Sequence, residues 1–284
     1  MGLFNSYFTK PGPGVDKDAP EKLRIWQFFE IFWGQLSKLT LINMIYFVAM
    51  LPLVAGLAIC FKVDFLSPSI ITLRVPGSID LMGIILIVAS LFTSFPATLG
   101  FTFVLRNIQR REHAWLWHDF IKHTKANYKK GVINGVVTLL VYYLLLNAHG
   151  LYYSQQIFGS GYANSFLAIL MLALVVVFTW AQFYVNTMIV TFDLSLKSIY
   201  RNATLFAISS APRNILVSII CLILGFGVFV LSYLIPILAV ILAILILYSL
   251  FGFITVFCVY PTIDKYMISV VEDNTQDDTE EEEI

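Results

Sequence analysis

The chain has 284 residues, of which 58% are hydrophobic and only 13% are charged, and its formal net charge at pH 7 is zero. A soluble domain carries about 25% charged residues, so this composition excludes an ordinary soluble enzyme or binding module. The apolar residues stand in uncharged runs of about 20 or more, the length of a helix that crosses the hydrocarbon core of a bilayer. The composition therefore indicates an integral membrane protein.

The N-terminal part of the chain predicts an arm, an interfacial helix and a first span. Residues 1–20 are rich in proline and glycine and are predicted to be a flexible arm. Residues 21–38 have apolar side chains at helical spacing, with Trp26 and Trp33 suited to headgroup level. This pattern predicts an amphipathic helix in the membrane interface, followed by span 1 at about 39–61.

The next part of the chain repeats this order. Span 2 is predicted at about 81–105, and Pro96 inside it predicts a kink. Residues 106–130 contain the highest concentration of basic residues in the chain and again place apolar side chains on one helical face. We therefore predict a second amphipathic helix, followed by span 3 at about 131–151.

The last part of the chain contains three further spans. Span 4 is predicted at about 163–192, and residues 193–214 have the spacing of a third amphipathic helix. The following 46 residues carry no charge. One helix of that length would be about 69 Å long, more than twice the hydrocarbon thickness. We therefore predict two spans, at about 215–234 and 237–260, with a turn near 232–236.

These elements predict an all-α polytopic membrane protein with six transmembrane helices and an amphipathic helix before spans 1, 3 and 5. The membrane domain would cover residues 21–268, and the acidic residues 269–284 would form a disordered tail. Sixteen of the eighteen Lys and Arg residues fall on one side of this topology, and only Lys62 and Arg74 fall on the other. This asymmetry predicts that both termini are cytoplasmic, in the cell membrane. The unit of one amphipathic helix followed by two spans occurs three times. An internal repeat and the general occurrence of basic residues before membrane helices explain this recurrence equally well.

Two groups of residues are candidate sites. The basic region beside span 3 is expected to contact anionic lipid or a partner, because each basic residue near an anionic membrane surface contributes about 1 kcal/mol of attraction. A second group shares a face of span 4 and would line a polar cavity, although hydrogen bonding between helices is the simpler explanation. The first group is Arg106, Arg110, Arg111, Trp115, Trp117, Lys122, Lys125, Lys129 and Lys130; the second is Thr179, Gln182 and Asn186.

No residue pattern predicts catalysis, a metal or another cofactor. His113, His118 and His123 are spaced five residues apart, so their rings would not converge on one helical face. The sequence lacks nucleophile-elbow, zinc-protease and phosphate-binding motifs. The middles of all six predicted spans are uncharged, which disfavours a proton- or ion-coupled transporter. We therefore predict a protein that is not an enzyme, and we expect its basic surface to meet membrane lipids rather than nucleic acid.

Several segments resemble the YesL family of bacterial membrane proteins, and the resemblance covers most of the chain. The segments are FPATLG at 95–100 with the stretch to Arg111, WHDF at 117–120, KKG at 129–131, MGLFN at 1–5, GPGV at 12–15, and Lys197 with RNA at 201–203. The resemblance implies a domain of unknown function whose genes lie beside sugar ABC importers and sensor kinases. It implies no catalytic or ligand-binding residue.

The resemblance and the charge pattern together lead to two functional hypotheses. The first is a non-enzymatic accessory protein in carbohydrate uptake or its regulation, with a sugar ABC transporter or a sensor kinase as its implied partner. The alternative is a small-molecule transporter or permease in its own right. Only the alternative requires a water-accessible cavity near Gln182 and Asn186.

Overall fold

Helices that can cross a membrane make up the described part of the fold, five as single helices and a sixth if one bent pair is counted as one span. The computed structural model describes residues 23–60, 81–154 and 161–268, where all regular structure is helical. Five helices there are long and apolar enough to cross a membrane, and a sixth crossing consists of two shorter helices that meet at a bend of 42°. The all-α polytopic membrane fold is thus confirmed. The spans are Leu36–Cys60 (span 1), Leu81–Phe92 with Ser94–Gln109 (span 2), Tyr128–Ser154 (span 3), Gly161–Thr191 (span 4), Ala211–Leu234 (span 5) and Pro236–Ile268 (span 6).

Three shorter amphipathic helices precede spans 1, 3 and 5, in the order that the sequence predicts. They are Arg24–Gly34, Leu116–Ala126 and Leu196–Ser209, here called amphipathic helices 1, 2 and 3. One non-helical residue joins each of them to the span that follows. Because successive spans run in opposite directions, all three helices lie at the same end of the bundle, which we call the basic end. The predicted arm at 1–20 and tail at 269–284 lie outside the described residues.

Span 2 is bent at Thr93, three residues before the proline that the sequence marks as a kink. Pro96 has no N–H group to donate to the carbonyl of Phe92, one helical turn earlier. The Tyr128 hydroxyl donates to that carbonyl instead, at 3.1 Å. A side chain from the start of span 3 therefore replaces the hydrogen bond that the proline removes.

The sequence does not reveal two π-helical turns of span 6, Asp264–Ile268 at its end and Ala243–Leu247 inside it, of which the second is called the π-helical turn below. The side chain of Asn43 from span 1 contacts this turn. Its Nδ2 donates to the carbonyls of Ala243 and Ile244, each at 2.8 Å, and its Oδ1 accepts from the Ser249 N–H at 2.8 Å. Asn43 thus satisfies backbone groups that the irregular turn leaves without regular partners.

Two apolar clusters hold the basic end together. One joins amphipathic helices 1 and 2 to spans 1, 2 and 6, and the other joins amphipathic helix 3 to spans 2, 4 and 6. The outer faces of the spans remain apolar and exposed, as Leu222, Ile223 and Phe226 of span 5 illustrate. In a bilayer these faces are covered by lipid, so the internal polar groups mark the interior of the bundle.

Candidate functional site

A cavity of about 420 Å³ lies in the interior of the bundle, and all six spans contribute to its wall. We call it the central cavity. It brings together all three residues of the predicted polar group, Thr179, Gln182 and Asn186. Span 4 ends at Thr191. Along the helix axis, Thr179 lies about 18 Å before this end and Asn186 lies about 8 Å before it. The cavity therefore extends from the middle of the bundle towards the basic end.

Two amide side chains of the cavity wall belong to a hydrogen-bonded cluster. Asn134 Nδ2 donates to Asn186 Oδ1 at 3.0 Å, and Gln182 Nε2 donates to the Tyr200 hydroxyl at 3.2 Å. The Tyr200 hydroxyl in turn donates to Asn134 Oδ1. This cluster connects spans 3 and 4 to amphipathic helix 3. Within the described part of the chain, Gln182 Oε1 and Asn186 Nδ2 make no hydrogen bond, so each keeps capacity for a ligand.

Two tyrosine–threonine pairs complete the polar wall. The Tyr46 hydroxyl lies 2.8 Å from Thr98 Oγ1, and the Tyr142 hydroxyl lies 2.9 Å from Thr179 Oγ1. Both threonines donate their single hydroxyl proton to a carbonyl of their own helix, at 2.9 and 2.8 Å. The tyrosines must therefore donate to the threonines, and the tyrosine oxygens keep free lone pairs.

Three further threonines of the wall have the same arrangement. Thr102, Thr187 and Thr255 each donate to the carbonyl four residues earlier. Their oxygen atoms can then only accept hydrogen bonds from a molecule in the cavity. Together with Gln182 Oε1, these oxygens make the wall rich in free acceptors, whereas Asn186 Nδ2 is a free donor. None of the residues that line the described cavity carries a formal charge at neutral pH.

The π-helical turn of span 6 and Gly252, five residues after it, shape the cavity wall. The turn ends directly before Tyr248, which lines the cavity. A Cβ atom at Gly252 would lie 2.6 Å from Leu105 Cδ1 and 2.8 Å from Phe101 Cε1. Span 6 therefore packs closely against span 2 at Gly252, and a larger residue there would require the side chains of Leu105 and Phe101 to shift.

The second predicted site, the basic region, is not one continuous surface. Arg106 was expected to contact lipid, but its side chain is only 8% exposed. Span 2 continues to Gln109 rather than ending near residue 105, so Arg106 lies inside the bundle. Its Nη1 donates to the Val190 carbonyl at 3.0 Å and to Thr191 Oγ1 at 3.1 Å. Arg106 thus caps the last turn of span 4, where a cation interacts favourably with the helix dipole.

The remaining residues of the basic region lie at the protein surface or at its margin. Arg110, Arg111 and Lys130 lie within 2.9–3.3 Å of carboxylate oxygens of other residues. Trp115 and Trp117 are 69% and 63% exposed, in agreement with a position in the membrane interface. Lys122, Lys125 and Lys129 are exposed and form no ion pair among the residues that the structure describes.

Sequence reasoning identified the amides of span 4 but missed their aromatic and hydroxyl partners. Tyr46, Thr98 and Tyr142 lie in predicted spans at positions that no helical spacing rule brings together, so the sequence does not show that they face one cavity. Tyr200 was placed on an amphipathic helix, where a tyrosine is expected in the interface. One usable signal was present, because Asn134 is a strongly polar residue inside a predicted span, and such residues face other helices or cavities.

Comparison with known proteins gives one family match. Residues 39–147 match the sequence model of a family described as protein of unknown function, DUF624. The match covers spans 1 and 2, amphipathic helix 2 and most of span 3, and it supports a relationship to a family without an assigned activity. No curated protein and no solved structure matches the chain.

Proposed function

We propose that the protein is a permease for a small, uncharged solute that carries several hydroxyl groups, and that the solute binds in the central cavity. The observation that carries this proposal is the convergence of uncharged polar side chains from five of the six spans on one cavity, to which span 5 contributes Cys221. Polar groups inside membrane segments mark solute pathways, and ligand cavities have volumes of about 300–1,000 Å³. The cavity volume of about 420 Å³ suits a small molecule.

The hydrogen-bonding character of the wall supports the proposed solute class. Free acceptors are contributed by Tyr46, Tyr142 and Gln182 among others, and they match the donating hydroxyls of a polyol. An anion would meet oxygen lone pairs without a neutralising charge, and burying such an ion costs several kcal/mol. The wall therefore disfavours anionic solutes.

The topology belongs to the same proposal. We place the basic end in the cytoplasm of the cell, in the plasma membrane, with both termini inside, because the topology predicted from the sequence puts sixteen of the eighteen Lys and Arg residues on that side. A role as an accessory to carbohydrate uptake remains a second proposal, and so does the YesL assignment; both rest on resemblance alone. Co-purification with a membrane complex from native membranes would support the accessory role, and recovery of the chain alone would contradict it.

The native cysteine in the cavity wall provides a direct test of access. In a Cys60→Ala/Cys258→Ala variant, Cys221 of span 5 is the remaining thiol and lines the cavity. We expect a small membrane-impermeant thiol reagent to label it from at least one side of membrane vesicles, and a bound polyol to slow the labelling. In the matched control, Cys60→Ala/Cys221→Ala, the remaining Cys258 does not line the cavity, and the polyol should not change its rate. Failure to label Cys221 from either side would contradict the proposal.

Transport itself is measured in proteoliposomes. We expect uptake of neutral monosaccharides or polyols to exceed that of protein-free liposomes, and uptake of sugar acids of similar size not to. Gln182→Leu and Asn186→Leu should each lower uptake about threefold to tenfold, which corresponds to the loss of one hydrogen bond of about 0.5–1.5 kcal/mol. Equal uptake by empty liposomes across the whole panel would refute the permease assignment.

A further inference from the structure

Two arginines from different helices meet beside the last turns of span 6. Arg24 lies at the start of amphipathic helix 1, and its Nη2 donates to the Phe257 carbonyl at 3.5 Å. Arg213 lies in the first turn of span 5, and its Nη1 donates to the Cys258 carbonyl at 3.5 Å and to the Thr262 hydroxyl. The two guanidinium groups thus reach the carbonyls of consecutive residues, which places them side by side at the basic end.

This pair of like charges has no carboxylate partner in the described part of the chain. The ion pairs found there at the basic end involve Arg110, Arg111 and Lys130 instead. Burial and the nearby Arg213 charge both lower the pKa of Arg24. Two cations at close distance in a partly desolvated position repel each other, and an anion between them would remove that repulsion.

The hydrogen bonds of the two arginines leave most of their donors unused. Each guanidinium group has five N–H donors, and the bonds to the two carbonyls are long at 3.5 Å. The Phe257 carbonyl lacks its helical donor because Pro261 stands four residues later. The hydrogen bond from Arg24 to this carbonyl therefore replaces the missing helical bond. That explanation does not account for Arg213 or for the unused donors of both side chains.

The surroundings indicate that the anion comes from the membrane. Arg24 stands between Leu23, Ile25 and Trp26, which are 72%, 68% and 62% exposed. Exposed apolar side chains beside an arginine are typical of the headgroup level of a bilayer, where tryptophan is enriched. Below Arg213, span 5 presents the exposed side chain of Leu216 three residues further on. A headgroup at the arginines would thus have its acyl chains along an apolar helix face.

We propose that Arg24 and Arg213 form a binding site for the phosphate of an anionic phospholipid between amphipathic helix 1, span 5 and span 6. The guanidinium groups bind the phosphate oxygens in the bidentate geometry that arginine favours. Basic pockets between membrane helices bind anionic headgroups in this way. The lipid would then hold amphipathic helix 1 against the first turn of span 5, independently of whether the central cavity transports a solute.

Native mass spectrometry of the purified full-length protein tests the site, with phosphatidylglycerol added in steps. We expect Arg24→Gln/Arg213→Gln to weaken phosphatidylglycerol binding at least about tenfold, since a hydrogen bond to a charged group is worth about 1.5–3 kcal/mol. The matched control, Lys197→Gln/Arg201→Gln, removes the same charge from exposed positions of amphipathic helix 3 and should bind as the wild type does. Arg24→Lys/Arg213→Lys keeps the charge and should lose less affinity than the glutamine variant.

Two further ligands distinguish the source of the phosphate. Phosphatidylcholine has no net charge and should bind more weakly than phosphatidylglycerol. Inorganic phosphate lacks acyl chains and should not displace phosphatidylglycerol at equal concentration. Equal phosphatidylglycerol binding by the wild type and a folded glutamine variant would overturn the proposal. Displacement by inorganic phosphate alone would overturn the assignment to lipid.

Discussion

Replacement of Asn43 by leucine should destabilise the bundle more than an ordinary loss of one hydrogen bond between helices. Asn43 is fully buried and makes three hydrogen bonds of 2.8 Å to the backbone of span 6. Hydrogen bonds between side chains of membrane helices contribute about 0.6 kcal/mol each on average. A buried backbone group left without a partner costs about 1–3 kcal/mol. We therefore expect Asn43→Leu to lower the free energy of unfolding by about 3 kcal/mol or more.

The decrease in the free energy of unfolding of Asn43→Leu shows whether the π-helical turn keeps its geometry. If Ala243–Leu247 keeps its geometry, two carbonyls and one N–H group lose their partner, and the full cost is measured. If the turn relaxes to a regular α-helix, the cost is smaller, but the residues before Tyr248 rotate and the cavity wall changes. Labelling of Cys221 in the same variant distinguishes these two outcomes.

Unfolding in a denaturing detergent, followed by circular dichroism, gives the required free energies. Asn147→Leu is the matched control, because Asn147 is exposed and, among the residues that the structure describes, donates only to the Tyr143 carbonyl of its own helix, at 2.7 Å. Its replacement should change the free energy of unfolding by less than about 0.5 kcal/mol, as surface substitutions do. Equal stabilities of the two variants would refute the conclusion that Asn43 supports the π-helical turn.

Three further predictions concern the packing at the basic end. Gly100→Ala should destabilise by about 1–3 kcal/mol in the same assay, because its Cβ would collide with the Phe120 carbonyl and with Thr124 Oγ1, whereas Gly225→Ala has open space and should be neutral or stabilising. Tyr128→Phe should cost about 1 kcal/mol, because the carbonyl freed by the proline of span 2 loses its donor; an unchanged midpoint would contradict this. Burial lowers the pKa of His123 in the folded protein. The neutral ring therefore contributes its full stabilisation at pH values above the ordinary histidine pKa, and this contribution is lost as the pH falls to the pKa of the folded state. Melting curves across that pH range should show the loss of stability in the wild type and not in His123→Gln.

The spans could be predicted from the sequence, and their contacts could not. The length and polarity of each run determine whether it can cross a bilayer, and these properties are visible residue by residue. Arg106 shows where this reasoning ends. A basic residue after an apolar run is expected in the interface, yet this one lies inside the bundle because span 4 offers carbonyls for it to cap. The position of that acceptor depends on how two distant segments pack.

The candidate site was partly predictable for a related reason. An amide in an apolar run must find a partner, so Gln182 and Asn186 could be singled out without any knowledge of the fold. A tyrosine has both an apolar ring and a polar hydroxyl, so its place in the sequence does not decide between lipid interface and cavity wall. Tyr46, Tyr142 and Tyr200 could be assigned only when their hydroxyl partners were known.

Two irregular segments of the helices lie close along the chain to residues of the cavity wall. A backbone carbonyl or N–H group without a partner is tolerated at membrane depth only where protein or a cavity surrounds it. The bend at Thr93 stands one turn before Thr98 of the cavity wall, and the π-helical turn stands directly before Tyr248. Each irregularity is supported by a side chain from another span, Tyr128 in the first case and Asn43 in the second. Both distortions therefore have a stabilising partner from another span, and each stands within two helical turns of a residue that lines the cavity.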